Sequence, residues 1–289
     1  MGKYLNLFLV VVIIFASCLG ENAPVPSFQE QLKKDVALVD SYLRTNAINA
    51  VKDSSGVRYL ISTIGTGQIL NATSVVYVGY KGKLIPGGQL FIDSKDAFTK
   101  VLLDAPSLIS CWQIVLPKLT KGSAVTIYSP SGLAFGSSSF TDGKLPPNSN
   151  VIFDLKLLDE VAQFTSDTTS IKTYLTTNNI SATTHPSGVR YVITFTGNGA
   201  KPTAANSVTF NYNGKLLSTG VSFDKSTSPI NTPLSNIIKG LQIGFQLLPV
   251  GSKATFYIPS SLGYGPEGTQ NNIPGNANLI FEIELVGVN

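Results

Sequence analysis

The stretch SGVRY occurs twice, at Ser55–Tyr59 and again at Ser187–Tyr191, 132 positions apart. At that offset the agreement spreads in both directions. Upstream, Asp35 meets Asp167, Tyr42-Leu43 meets Tyr174-Leu175, Asn46 meets Asn178 and Ile48 meets Ile180. Downstream, Gly65 meets Gly197, Tyr80 meets Tyr212, Gly82-Lys83-Leu84 meets Gly214-Lys215-Leu216 and Phe91 meets Phe223. The offset then falls to 129, so the first copy is three residues longer in a connecting loop. Trp112 now meets Leu241, Gly122-Ser123 meets Gly251-Ser252, and Phe135-Gly136 meets Tyr264-Gly265. A last one-residue step brings Phe153 onto Phe281. Length changes confined to loops are those a folded unit tolerates. Two units of this size make two domains, whereas a solenoid needs several shorter ones.

Each unit opens with a helical pattern. Val36, Val39, Leu43 and Ala47 in the first, and Ile171, Tyr174 and Leu175 in the second, share one face at period 3.6. Asp167, among Ser and Thr neighbours, supplies an N-cap signal for the second helix. Strands follow over Val57–Ile61, Val208–Tyr212, Thr255–Ile258 and Leu279–Leu285, each rich in β-branched and aromatic residues. One short helical run, Leu234 to Phe245, interrupts them. The pattern predicts an α+β fold in each unit, an antiparallel sheet with one short helix packed on it.

Composition narrows the setting. The chain has 289 residues, 43% of them hydrophobic and only 13% charged, with a net charge of +4. Its longest Lys/Arg run is Lys33–Lys34. A nucleic-acid partner needs a concentrated basic face, so none is expected. At the N-terminus, Lys3 precedes the apolar stretch Leu5–Phe15, too short to span a bilayer as a helix and suited to a signal peptide. It ends in Phe15-Ala16-Ser17-Cys18, small residues followed by Cys, which looks like a bacterial lipobox with Cys18 as the lipidated residue, although Phe15 stands where Leu is usual. The expected division is a signal peptide over 1–17, an anchor and linker over 18–34, a first domain over 35–160 and a second over 161–289. Beyond Cys18 only Cys111 remains, so there is no disulfide framework, and Cys111 reads as a small buried hydrophobe. The lone His185 sits in a His-Pro-Ser-Gly turn and reads as a loop residue.

The second unit carries a spaced set: Tyr212-x-Gly214, Phe223-Asp224, Ile237-Ile238 with Gly240-Leu241, Val250-Gly251, Tyr264-Gly265, Ile273-Pro274 and Phe281. Taken singly, these are ordinary core, turn and cap residues. Together, in this order and ending in the Leu279–Leu285 strand, they resemble the FKBP-type peptidyl-prolyl isomerase family, the immunophilins that bind tacrolimus-like macrolides. The resemblance covers about Ser187 to Val288, and the tandem lipoprotein arrangement resembles versions from Bacteroidetes-type bacteria. It implies two FKBP-like domains, each an antiparallel sheet wrapped on a short helix and each preceded by a helix. It implies Asp224 and Tyr264 as the polar catalytic members, and Tyr212, Phe223 and Phe281 as walls of an apolar pocket. Ile237 and Ile238 would start the short helix, with the Ile238 N–H facing a substrate carbonyl. Leu241 would be the floor, where many members have Trp, and Ile273 the rim. Ile230 stands where the family usually has an aromatic. No cofactor or metal is implied. The implied partners are proline-containing polypeptides and a macrolide ligand, in a cell envelope reached through the lipid anchor.

That inventory suits the chemistry. Rotation about a peptide C–N bond faces a barrier of about 18–20 kcal/mol because the bond is partly double. No covalent step is needed to lower it. A dry aromatic pocket that prefers the twisted amide gains about tenfold in rate for each 1.36 kcal/mol of preference. The alternative is a chaperone or peptide-binding envelope lipoprotein without turnover.

The first unit departs from the set. Phe135 replaces Tyr264 and Cys111 replaces Gly240. Phe91-Ile92-Asp93 admits two registers: Ile92 at the position of Asp224, or Asp93 there with Ile92 in place of the aromatic. Tyr80, Leu108, Ile109, Trp112, Leu145-Pro146 and Phe153 are retained. The expectation is an FKBP fold with a degraded site.

Overall fold

The computed structural model describes residues 26–95, 97–139, 143–269 and 272–289. The signal peptide and Cys18 lie outside the described residues. The chain forms two copies of one α+β arrangement, each a seven-stranded antiparallel sheet holding a short helix.

In the first copy, helix α1 (Phe28–Thr45) precedes β1 (Val51–Lys52), β2 (Arg58–Thr63), β3 (Val75–Leu84), β4 (Leu90–Asp93) and β5 (Thr99–Leu102). Helix α2 (Ser110–Val115), β6 (Ala124–Ser129) and β7 (Val151–Leu157) complete it. The sheet order is β1-β2-β6-β7-β3-β4, with β5 also paired to β3. The second copy runs α3 (Glu160–Thr177), β8 (Thr183–Thr184), β9 (Arg190–Phe195), β10 (Ser207–Leu216), β11 (Ser222–Lys225) and β12 (Ile230–Pro233). Helix α4 (Lys239–Phe245), β13 (Lys253–Ile258) and β14 (Leu279–Val288) follow. Its order repeats the first, β8-β9-β13-β14-β10-β11, with β12 on β10.

The strands fall where alternation placed them, because one face of each sheet is buried against the short helix. In the second copy Phe210, Phe245, Phe256, Ile258 and Leu279 are fully buried between sheet and helix. The leading helices pack on the other side. Val39 and Leu43 of α1 meet Tyr128 and Ile152, while Ile171 and Leu175 of α3 meet Tyr257 and Ile280.

Three local expectations change. Helix α1 starts at Phe28, within the stretch expected as linker, because Ser27 and Glu30 form a reciprocal capping box. Ala47 is not on its buried face; the helix ends at Thr45 and Ala47 takes a left-handed φ of 53°. Asp167 is not an N-cap. Asp159 is, accepting from the Val161 and Ala162 N–H groups, and Asp167 lies mid-helix, 2% exposed.

The copies are joined closely. Only Leu158 and Asp159 separate β7 from α3, and Glu160 in the first turn of α3 is bonded at 2.9 Å by Lys121 of the first copy. A second contact runs from the Phe98 N–H to the Pro266 carbonyl at 2.8 Å. No described helix is long and apolar enough to cross a membrane.

Candidate active site

Strand β10 sets the frame of the site. Side chains two apart on a strand share a face, so Phe210, Tyr212 and position 214 all line the inner side. Gly214 pairs with Phe281 on β14 and with Asp224 on β11. The absence of a side chain there is required: a Cβ on Gly214 would lie 2.7 Å from Phe223 Cζ and 2.9 Å from Phe281 Cε1. The two rings close over the glycine edge to edge, with centroids 5.7 Å apart at 78°.

Neighbouring residues on a regular strand point to opposite faces, so Phe223 and Asp224 could not both serve one site. A bulge resolves this. Gly214 pairs with Asp224 and Lys215 with Ser222, leaving Phe223 as the extra residue. Asp224 is then placed to accept a 2.7 Å hydrogen bond from the Tyr212 hydroxyl. Tyr212 packs on Phe281 at 6.3 Å, and Tyr264 stands perpendicular to Phe223 at 6.3 Å.

The floor is Leu241, 4% exposed on α4. It shares the core with two aromatics that the sequence reading had not assigned to the site, Phe210 and Phe245, whose rings meet at 4.7 Å. Ile273 is 5% exposed in the loop between Tyr264 and β14. The predicted continuous helical run is broken: a single turn over Leu234–Asn236 is followed by extended Ile237, and Ile238 caps α4. Capping leaves an N–H free at a helix start, and the Ile238 N–H makes no hydrogen bond among the described residues. Ile230 lies on edge strand β12 opposite Phe210 and is partly exposed.

The electrostatics favour neutral phenols. The Tyr212 hydroxyl is pushed up to about 12, first by burial and then by its hydrogen bond to Asp224 and that carboxylate's charge. Tyr264 is raised by burial and by the same charge. The site therefore holds one carboxylate, two protonated phenols, a free backbone N–H and an apolar enclosure. It can grip an apolar ring and offer hydrogen bonds to flanking carbonyls.

The family model described as FKBP-type peptidyl-prolyl cis-trans isomerase matches residues 67–158 and again 198–286. The chain belongs to the FKBP-type peptidyl-prolyl cis-trans isomerase family. It carries two FKBP domains. A probable FKBP-type peptidyl-prolyl cis-trans isomerase FkpA from Neisseria meningitidis is 44% identical over 108 residues, 36% of this chain and 39% of that protein. The outer membrane protein MIP of Legionella longbeachae is 39% identical over 106 residues, 36% of this chain and 45% of that one. The chain thus spans less than half the length of these curated relatives. A crystal structure of a peptidyl-prolyl cis-trans isomerase from Pseudomonas syringae is similar at 31% identity and a TM-score of 0.41, over 45% of this chain and 96% of that one.

The first FKBP domain keeps the aromatic box and loses its polar members. Gly82 pairs with Ile92 and Lys83 with Leu90, so Phe91 is the bulged residue and Ile92 takes the position of Asp224. Of the two registers the sequence left open, the ungapped one holds. Phe91 meets Phe153 at 5.9 Å and Phe135 at 5.9 Å, the counterparts of the second-domain contacts. Phe91 is 4% exposed and belongs to the core, whereas Phe223 is only half-buried. Trp112 fills the floor, 5.5 Å from Phe153 and 5.6 Å from Tyr80. Its indole N–H is buried without a hydrogen-bond partner among the described residues.

The floors differ through matched exchanges of volume. In the second domain Gly240 and Ile258 face each other, and a Cβ on Gly240 would lie 2.4 Å from Ile258 Cγ2. In the first, Cys111 occurs with Ser129, and the thiol bonds to that smaller side chain. Likewise Gly244 lies under Phe256, and the first domain has Val115 with Ile127 at these positions. Burial pushes the Cys111 thiol up to about 12, so it is a packing residue and not a nucleophile.

Proposed function

We propose that this protein is a peptidyl-prolyl cis-trans isomerase that assists the folding of exported proteins, with catalysis in the second FKBP domain. The observation that carries this reading is the Tyr212–Asp224 hydrogen bond inside an intact aromatic box, set against an isoleucine at the carboxylate position of the first domain. The residues divide by role. Phe223, Phe281, Leu241, Ile237 and Ile273 enclose the proline ring and exclude water. The Ile238 N–H and the Tyr264 hydroxyl hold carbonyls beside the proline. Tyr212 is oriented by Asp224. Loss of amide resonance makes the twisted bond less polar than the planar one, so a desolvated pocket favours it.

The division into a first domain over 35–160 and a second over 161–289 is supported by the two matched segments, one lying within each. The Legionella relative's name places that protein in the outer membrane. This supports a cell-envelope location here; lipidation of Cys18 and an origin among Bacteroidetes-type bacteria rest on the Phe15-Ala16-Ser17-Cys18 motif and the tandem arrangement in the sequence alone. A tacrolimus-like macrolide is the expected inhibitor. For the first domain a second reading is favoured by the Trp112 indole N–H, which is buried with no hydrogen-bond partner among the described residues. It binds carbonyl-bearing apolar segments without turnover, as a holding site.

The test is a two-dimensional NMR titration of the full chain with a macrolide, followed by exchange spectroscopy on a short Pro peptide. The proposal expects shifts at Tyr212, Phe223 and Phe281 and loss of peptide exchange on saturation. Peptide exchange that persists with those residues saturated would overturn it.

A further inference from the structure

We propose that Asp167, on the helix that precedes the second domain, is a positioning residue for the active site, acting through Ser260 on Tyr264. This rests on the reading of the second domain as the catalytic one.

A carboxylate in a helix interior normally faces water. Asp167 is 2% exposed, and its two oxygens are fully engaged. Oδ1 accepts from Gln163 Nε2 at 2.7 Å, one helical turn back. Oδ2 accepts from both the Ser260 N–H at 3.0 Å and the Ser260 hydroxyl at 2.5 Å. Asn278, just before β14, closes the cluster by accepting from the same Ser260 N–H at 3.1 Å.

Ser260 is the residue from which the Tyr264 loop is hung. Its carbonyl accepts from the Gly263 N–H at 2.9 Å and from the Gly265 N–H at 2.9 Å, the two neighbours of Tyr264. Gly265 in turn accepts from the Asn276 N–H at 2.9 Å, which ties the loop to its return limb. The path from Asp167 therefore runs by hydrogen bonds through Ser260 to the two backbone neighbours of Tyr264, and the Tyr264 ring faces Phe223 at its end. Burying an ion is costly unless it is bonded, and three donors on one carboxylate hold the turn in one geometry. Nothing else on α3 reaches that turn by a side-chain hydrogen bond among the described residues.

The first domain repeats the device. Asp35, 1% exposed, accepts from the Ser131 N–H at 3.1 Å and its hydroxyl at 2.5 Å, and from Gln31 at 2.7 Å. There the loop presents Phe135. The first domain is thus an internal control with the same clamp and a different site.

The test uses the full chain and reads kcat/KM on a Pro peptide alongside thermal unfolding of each domain. Asp167→Ala is expected to lower kcat/KM about tenfold or more, since a misplacement of about 1 Å costs up to about 100-fold. Asp167→Asn, which keeps one acceptor for Ser260 and can donate to a flipped Gln163 amide, is expected to restore most of it. Ser260→Ala, which removes only the hydroxyl bond, gives a smaller loss in the same direction should Asp167→Ala fail to fold. Asp35→Ala is expected to destabilise the first domain comparably and leave kcat/KM unchanged. In a double-mutant cycle, Asp167→Ala should add little to Tyr264→Ala, because both act at one point. If Tyr264→Ala lowers activity and Asp167→Ala does not, or if their effects multiply, the positioning role falls while the domain reading stands. If Tyr264→Ala keeps full activity, the reading of that site falls and this proposal with it.

Discussion

Gly240 and Ile258 give the sharpest prediction about why the two floors diverged. A Cβ placed on Gly240 lies 2.4 Å from Ile258 Cγ2, 2.9 Å from Cδ1 and 3.0 Å from Cγ1. Carbon atoms rest at about 3.5–4.0 Å, so relief requires a shift of more than about 1 Å. Ile258 is fully buried in β13, and its β-branched side chain is stiff at χ1. Overpacking of this kind costs about 1–3 kcal/mol. Replacing a helical glycine by cysteine returns a few tenths of a kcal/mol, roughly. Gly240→Cys should therefore destabilise the second domain by about 1–2 kcal/mol. Ile258→Ser alone empties a core site and should cost about 3 kcal/mol or more. The pair together recreates the Cys111–Ser129 arrangement of the first domain, so their coupling should be favourable by about 1–3 kcal/mol. The assay is urea unfolding followed by far-UV circular dichroism. The chain has one tryptophan, Trp112, in the first domain, so its fluorescence should be unmoved by all three variants. A Gly240→Cys protein as stable as the parent, or a double variant no better than the sum, would refute the size-exchange account.

Other outcomes follow from the site. Asp224→Ala removes the acceptor of the Tyr212 hydroxyl and should lower kcat/KM about tenfold, equivalent to 1.36 kcal/mol. It should also bring the Tyr212 titration down from about 12 without returning it to the ordinary value, because burial, the larger cause, remains. Absorbance of tyrosinate against pH reads this directly. The sign for stability is fixed by the raised phenol. The neutral form is favoured in the folded chain, so the contribution of Tyr212 is complete below about pH 10 and is lost as pH rises through about 12. Tyr212→Phe should flatten the stability profile in that window, measured by urea midpoints. Cys111, fully buried with its thiol pushed up to about 12, should resist alkylation at pH 8 until the first domain unfolds, followed by peptide mass spectrometry.

Much of this was legible in the sequence because duplication writes each structural requirement twice. The strands follow from alternation, and the box residues Tyr212, Phe223 and Phe281 come together as the family resemblance implies. What alternation could not convey was the bulge at Phe223, where the pairing register slips by one residue and sends neighbouring side chains to one face. That slip also decided the first domain, where it puts Ile92 and not Asp93 at the carboxylate position. Phe210 and Phe245 were missed because a floor is a three-dimensional property: they lie 35 positions apart and meet only when α4 docks on β10. Asp167 carries a cap signal because Asp followed by Thr is an ordinary local pattern, whereas the cap of α3 is Asp159. A nonlocal clue was present. Ser131 and Asn150 recur as Ser260 and Asn278, so the whole clamp survived duplication together with its aspartate.

The proposed function stands or falls on catalysis in the second domain. The deciding measurement is the prolyl exchange rate on one Pro peptide for the full chain and for the variants at corresponding positions, Phe91→Ala and Phe223→Ala, with each variant's fold checked by circular dichroism. Phe223→Ala should lose most of the exchange, and Phe91→Ala should leave it near the parent value. Equal losses from both, or a loss confined to Phe91→Ala, would contradict it.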